Sequence, residues 1–122
     1  MRKTTKRSLT KKLDKEVSRI VRLRGVCARC GKGAEKVTLH CAHIFSRRNM
    51  SVRFDLDNCL PLCYACHFWW AHPNPILFTE FVKTYLGKFK YLALKRKATQ
   101  IRKWNLEEMQ ELLEDLKEVN NA

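Results

Sequence analysis

Two Cys-x-x-Cys pairs constrain this chain more than any other feature of its sequence. Cys27-Ala28-Arg29-Cys30 and Cys63-Tyr64-Ala65-Cys66 are separated by 32 residues. A two-residue gap lets both sulfurs of a pair reach one ion, and two pairs supply the four thiolates of a tetrahedral structural zinc site. One pair alone is compatible with redox chemistry or ordinary buried cysteines; two at this spacing point to metal. The first pair falls on a glycine-bearing turn and the second at the start of a helix, which is a treble-clef arrangement. A chain of 122 residues gains much of its folding free energy from such an ion. Cys41 and Cys59 have no partner at ligand spacing and read as buried strand residues. The expected location is cytoplasmic, and that compartment keeps thiols reduced, so six cysteines there argue against a disulfide framework. No apolar run approaches the roughly 20 residues of a membrane span, and no apolar core follows the basic N-terminus as a secretory signal requires.

Charge indicates the partner. Lys and Arg number 25 against 12 Asp and Glu, a net charge of +13. Residues 1–104 hold 24 of the basic side chains and six acids, whereas residues 105–122 hold six acids and one Lys. A field this positive attracts phosphate backbones, although a ribosomal or RNA-binding protein has the same look and charge says nothing of catalysis.

The pattern of apolar residues implies one α+β domain over residues 1–122, with a small β-hairpin and metal site packed among helices. Residues 1–12 (Arg2, Lys3, Lys6, Arg7, Lys11, Lys12) read as a basic, mobile arm. Leu9, Leu13, Val17, Ile20, Val21 and Leu23 recur at helical spacing, and Gly25 is placed to end that helix. Val37–Phe45 reads as a strand, and Asn58-Cys59-Leu60 as a short one cut by Pro61. A short helix is expected over residues 63–71, broken at His72-Pro73. The C-terminal helices occupy residues 74–120. The first starts at Pro75 with Asn74 as its cap and buries Leu77 or Phe78, Phe81, Val82, Tyr85 and Leu86 before Gly87. A basic helix follows over 88–99. Asn105 with Glu108 then forms a capping pair for an acidic last helix, whose stripe Leu106, Met109, Leu112, Leu113, Leu116 and Val119 either packs on the body or forms a dimer face.

Between the cysteine pairs lie His40-Cys41-Ala42-His43-Ile44 and Arg53-Phe54-Asp55-Leu56-Asp57-Asn58, and His67 directly follows Cys66. This order resembles the HNH (ββα-metal) endonucleases, and its wording is most similar to the lambda NinG (Rap)-like phage recombination nucleases. The four-cysteine staple is also similar to that of phage endonuclease VII, a resolvase. The resemblance covers residues 27–72, the zinc-bound ββα core, and implies a metal-dependent DNA endonuclease acting on duplex or branched recombination intermediates. It also implies a phage or prophage setting and a homodimer. Beside the structural Zn2+ it implies a catalytic divalent metal, Mg2+ or Mn2+, or Zn2+ itself.

Carried over residue by residue, His43 is the general base, because its near-neutral pKa suits it to activate water. Asn58 orients His43 or the hairpin loop through its amide, and His67 binds the catalytic metal from the helix start. Most HNH enzymes carry a metal-binding Asp or His immediately before the base, where this chain has Ala42. Asp55 is the first candidate for the missing ligand and His40, on the same strand face as Ala42, the second. His72 lies one residue off the spacing that sets two ligands on one α-helical face of His67, and is set aside. Arg47, Arg48 and Arg53 crowd the loop beside the base and are expected to meet substrate phosphates. The arm and Lys95-Arg96-Lys97 add sequence-independent attraction. Phe68-Trp69-Trp70 reads as packing beside the zinc rather than as a base-stacking surface. The competing reading is a non-catalytic zinc module that binds DNA or RNA, motivated by Ala42 and the charge.

Overall fold

The computed structural model describes residues 3–119. Arg2 of the basic arm and residues 120–122 lie outside the described residues. Helix α1 spans Lys6–Arg22, so most of the supposed arm is helical. It starts early because Thr5 and Ser8 form a reciprocal capping box, with the Ser8 amide donating to Thr5 Oγ1 at 3.1 Å and the Thr5 amide to Ser8 Oγ at 3.3 Å. Gly25, at φ 83°, turns the chain away from the helix end in a backbone region that other residues avoid.

A two-stranded antiparallel hairpin forms the centre: β1, Leu39–His43, pairs with β2, Cys59–Cys63, in the register Leu39↔Cys63 to His43↔Cys59. Pro61 was expected to cut the second strand, and instead sits within it. The Pro61 carbonyl accepts from the Ala28 amide at 2.8 Å, on the side away from β1. Its ring nitrogen therefore also faces away from the ladder, where no N–H is needed. The same bond ties the first cysteine turn to the sheet.

Beyond β2, Ala65–Ala71 winds as a π-helix, with the His72 amide bonding to the His67 carbonyl at 3.1 Å. Helix α2 is Pro75–Leu86, with Pro75 in its first turn and Gly87 (φ 86°) at its end. Asn74 does not cap it; its Nδ2 donates to the Trp70 carbonyl at 2.7 Å, closing the π-helix instead. Val82 is the fully buried residue of α2, with Phe78, Phe81 and Leu86 packed around it, while Leu77 and Tyr85 face out. Helix α3 is Lys88–Ala98 and α4 is Leu106–Lys117. The predicted cap of α4 is present: the Glu108 amide donates to Asn105 Oδ1 at 2.8 Å and the Asn105 amide to Glu108 Oε1 at 3.1 Å.

Two apolar clusters lie on either side of the hairpin. In one, Leu9, Leu13, Val17, Ile20 and Val21 of α1 meet Met109, Leu113 and Leu116 of α4, with Phe54 and Cys59 beneath. The acidic last helix thus packs on the body, and Arg19 seals the joint by donating to the carbonyls of Leu116 (3.1 Å) and Val119 (2.9 Å). In the other, Ala42, Leu60 and Leu62 of the hairpin meet Cys27, Cys63, Cys66, Val82 and Tyr91. No helix among the described residues is long and apolar enough to cross a membrane.

Candidate metal centres and active site

The four sulfurs of Cys27, Cys30, Cys63 and Cys66 lie within 4.8 Å of one another. The first pair is carried on a turn in which the Gly31 amide bonds to the Cys27 carbonyl at 2.9 Å and the Cys27 amide to Lys32 at 2.9 Å. Gly31 adopts φ 77° to close it. Cys63 ends β2 and Cys66 stands in the first turn of the π-helix. Burial acts against the charged form of Cys27, but the backbone amides of Cys30, Cys63 and Arg29 outweigh it and bring the thiol down to about 6. Burial pushes Cys66 up to about 12, although Arg29 donates to its sulfur at 3.6 Å while stacking on Trp70 at 4.1 Å. Four thiols this close cannot all ionise without a central cation, and a soft divalent ion with tetrahedral preference would supply it. The donor set fits structural zinc.

At the far end of the hairpin, Asn58 is fully buried and spends its whole amide on one residue. Its Oδ1 accepts from the Phe45 amide at 2.8 Å and its Nδ2 donates to the Phe45 carbonyl at 3.0 Å. The Ile44 amide adds a bond to the Asn58 carbonyl at 2.8 Å. These three bonds fix the chain just past His43, the last residue of β1. Asn58 therefore holds the loop rather than the imidazole. Burial, and after it the neighbouring Arg47 guanidinium, hold His43 below its ordinary value, with Asp14 and a backbone hydrogen bond to Arg53 acting the other way.

His43, His67 and His72 line one cavity of about 330 Å³ together with Ala42 and Ile44. In an α-helix, residues five apart stand about 140° from one another. The five-residue hydrogen-bonded turn of the π-helix instead brings the rings of His67 and His72 to a centroid separation of 4.7 Å. The spacing His67-x-x-x-x-His72, one residue too wide for an α-helical face, suits this wider helix. His40 approaches from β1, its Nδ1 3.1 Å from His67 Nδ1, so one of the two imidazoles donates to the other. Burial, then the charges of His72, His40 and His43, hold His67 down to about 4, which keeps it neutral and free to bind a cation. Ala42 contributes only a methyl. Among the described residues, only the four-cysteine set and Cys41, His43 and Cys59 gather three or more donor atoms within 4.8 Å. His67 with His72 or His40 is thus a two-imidazole set that would hold a divalent ion.

Asp55 is held elsewhere. Its carboxylate accepts from Lys97 Nζ at 2.7 Å and from the Asp57 amide at 2.9 Å, capping the 3-10 turn Leu56–Asn58. It does not line the histidine cavity. Arg53 is also committed: Nε and Nη2 grip Asp14 of α1 at 3.0 and 2.6 Å, and Nη1 reaches the Arg47 carbonyl at 3.3 Å. This bidentate pair braces the loop and occupies the guanidinium edge on which the expected phosphate contact depends. Asp14 was not singled out from sequence because nothing local marks a helix-surface acid as a loop anchor. Arg47 and Arg48 are exposed on the loop after His43, and Arg47 lines the neighbouring cleft with Asp14, Cys41 and His43 rather than the histidine cavity. Of the aromatic run, Trp70 packs on Phe78 and Phe81 as expected, but Trp69 is 71% exposed, beside Tyr64 at 53%.

The Cys41 thiol is drawn below its ordinary value by the Cys59 side chain, burial opposing and Arg24 and Arg22 assisting. The Cys59 thiol is pushed up by that same contact and by burial.

Residues 27–68 match the family model of the HNH endonucleases. No curated protein and no solved structure matches the chain. The matched segment starts at the first cysteine of the cluster and ends one residue past His67, so it contains three further cluster cysteines, the hairpin and the clamp, and it points to nucleic-acid cleavage or binding.

Proposed function

We propose that the protein is a metal-dependent DNA endonuclease whose treble-clef ββα core hydrolyses a phosphodiester bond in the cavity shared by His43, His67 and His72. The observation that carries this reading is the Asn58 clamp, which fixes the backbone beside His43 at the mouth of that cavity. His43, neutral at physiological pH, takes the proton from the attacking water. His67 and His72, with His40 behind them, would hold the divalent cation, Mg2+ or Mn2+ in the first instance. When bound, such an ion stabilises charge on the scissile phosphate and on the leaving oxygen. Arg47 and Arg48 meet the flanking phosphates. Selectivity for branched DNA, a homodimer, and a phage recombination setting in the bacterial cytoplasm belong to the same reading and rest on the resemblance to the NinG (Rap)-like nucleases and endonuclease VII.

The second reading, a zinc module that binds DNA or RNA without cutting it, is favoured by Ala42, whose methyl stands where a ligand is expected. Incubating the purified protein with labelled four-way junction and linear duplex, with and without Mg2+ or Mn2+, separates the two. Cutting that requires both the metal and His43, tested with His43→Ala, supports the nuclease. Retarded mobility with intact DNA under every metal condition would move the assignment to the binding module.

A further inference from the structure

Cys41 and Cys59 take no part in the chemistry above, yet neither is an isolated thiol in a core. Cys41 and His43 project from the same face of β1 by strand alternation, and Cys59 is the cross-strand partner of His43. The two sulfurs and an imidazole nitrogen lie within 4.8 Å of one another. A tetrahedral zinc ion separates its sulfurs by about 3.8 Å and sulfur from nitrogen by about 3.5 Å, so the three donors need to close by about 1.3 Å at most. Asp14, Ser18, Arg22, Cys41, His43 and Arg47 line a cleft of about 390 Å³ on this face, which leaves an entry path and room for a fourth ligand. Arg24, anchored on the Cys59 and Leu56 carbonyls at 2.9 and 3.1 Å, brings positive charge to the thiol pair. Two thiolates neutralise a divalent ion, so that charge does not expel it. Hard ions such as Mg2+ avoid thiolate donors, whereas ions of the zinc class prefer them.

We propose that Cys41, His43 and Cys59 form a second, thiophilic cation site of the zinc class, and that filling it occupies the His43 imidazole and arrests cleavage. The inhibitory consequence rests on the reading of His43 as the base; the site itself does not.

The test starts from holoprotein with its four-cysteine site filled, titrated with Zn2+ against a chromophoric chelator. Wild type is expected to bind one zinc more than Cys41→Ser, and His67→Ala one more than His67→Ala with Cys41→Ser, with Cys41→Ala as a second variant that buries no new hydroxyl. In Mg2+-supported cleavage, the Zn2+ concentration that halves the rate should rise at least about tenfold in both Cys41 variants, the scale expected for loss of one ligand of three. Equal zinc counts in wild type and both variants would overturn the site. An extra zinc bound with cleavage unimpaired would keep the site and overturn His43 as the base.

Discussion

At the residue scale, Asn58 shows how one side chain is made irreplaceable by its donor and acceptor sharing a plane. Phe45 presents both an N–H and a C=O, and only a short carboxamide answers both from this distance. Asp loses the donor and Gln adds a methylene that a fully buried site cannot take. Asn58→Ala leaves both Phe45 groups without partners, for an expected loss of about 2–4 kcal/mol in denaturant unfolding. With His43 as the proposed base, it also carries the pH dependence. Its folded value lies below the ordinary 6.5, so the neutral form persists as pH falls through 6.5 and is lost only below that. The acid limb of kcat/KM is therefore expected below pH 6.5. Because the Arg47 charge is one cause of the depression, Arg47→Ala should move that limb upward, whatever it does to substrate affinity. A limb unmoved by this change would mean that Arg47 does not act on the base.

At the element scale, the cysteine turn and the hairpin are one unit, because Ala28 bonds to Pro61 and three of the four clustered cysteines belong to the second apolar cluster. Stripping the ion with a strong chelator is expected to unfold this unit, seen as loss of helical circular dichroism and a shift in tryptophan emission as Trp70 leaves Arg29. A chain that stays folded with no zinc by elemental analysis would remove the staple from the account. Legibility in the sequence also divides by element. Cysteine spacing, the Asn105–Glu108 cap and the glycines that end α1 and α2 are local signals, and they read correctly. The continuation of β2 through Pro61 depends on which edge faces β1, a tertiary fact. The π-helix brings His72 beside His67 by departing from the periodicity on which helical reading relies. Asp55 and Arg53 looked available because their partners, Lys97 and Asp14, stand 42 and 39 residues away in the chain.

At the scale of the whole molecule, charge is segregated by sequence rather than balanced residue by residue. Basic side chains crowd residues 1–104, and the acids of α4 leave most of that field uncompensated. Association with DNA is expected to be steeply salt-dependent. If six to ten phosphates are neutralised, affinity should fall by about 10³–10⁵ between 50 and 200 mM salt, measurable by fluorescence anisotropy. A shallow dependence would mean that the basic surface is merely solvated.

The packing of α1 on α4 has a consequence for the order of events during synthesis. The stripe Leu9, Leu13, Val17, Ile20 and Val21 is covered by a helix that begins 84 residues after α1 ends. At roughly 5–20 residues per second, the ribosome leaves α1 without its cover for about 4–17 s. Throughout that interval the nascent chain carries a cationic amphipathic helix, the chemistry that adheres to acidic lipid headgroups and to ribosomal RNA. Completing α4 does more than add a last layer of packing: it withdraws an adhesive surface that every unfinished copy displays.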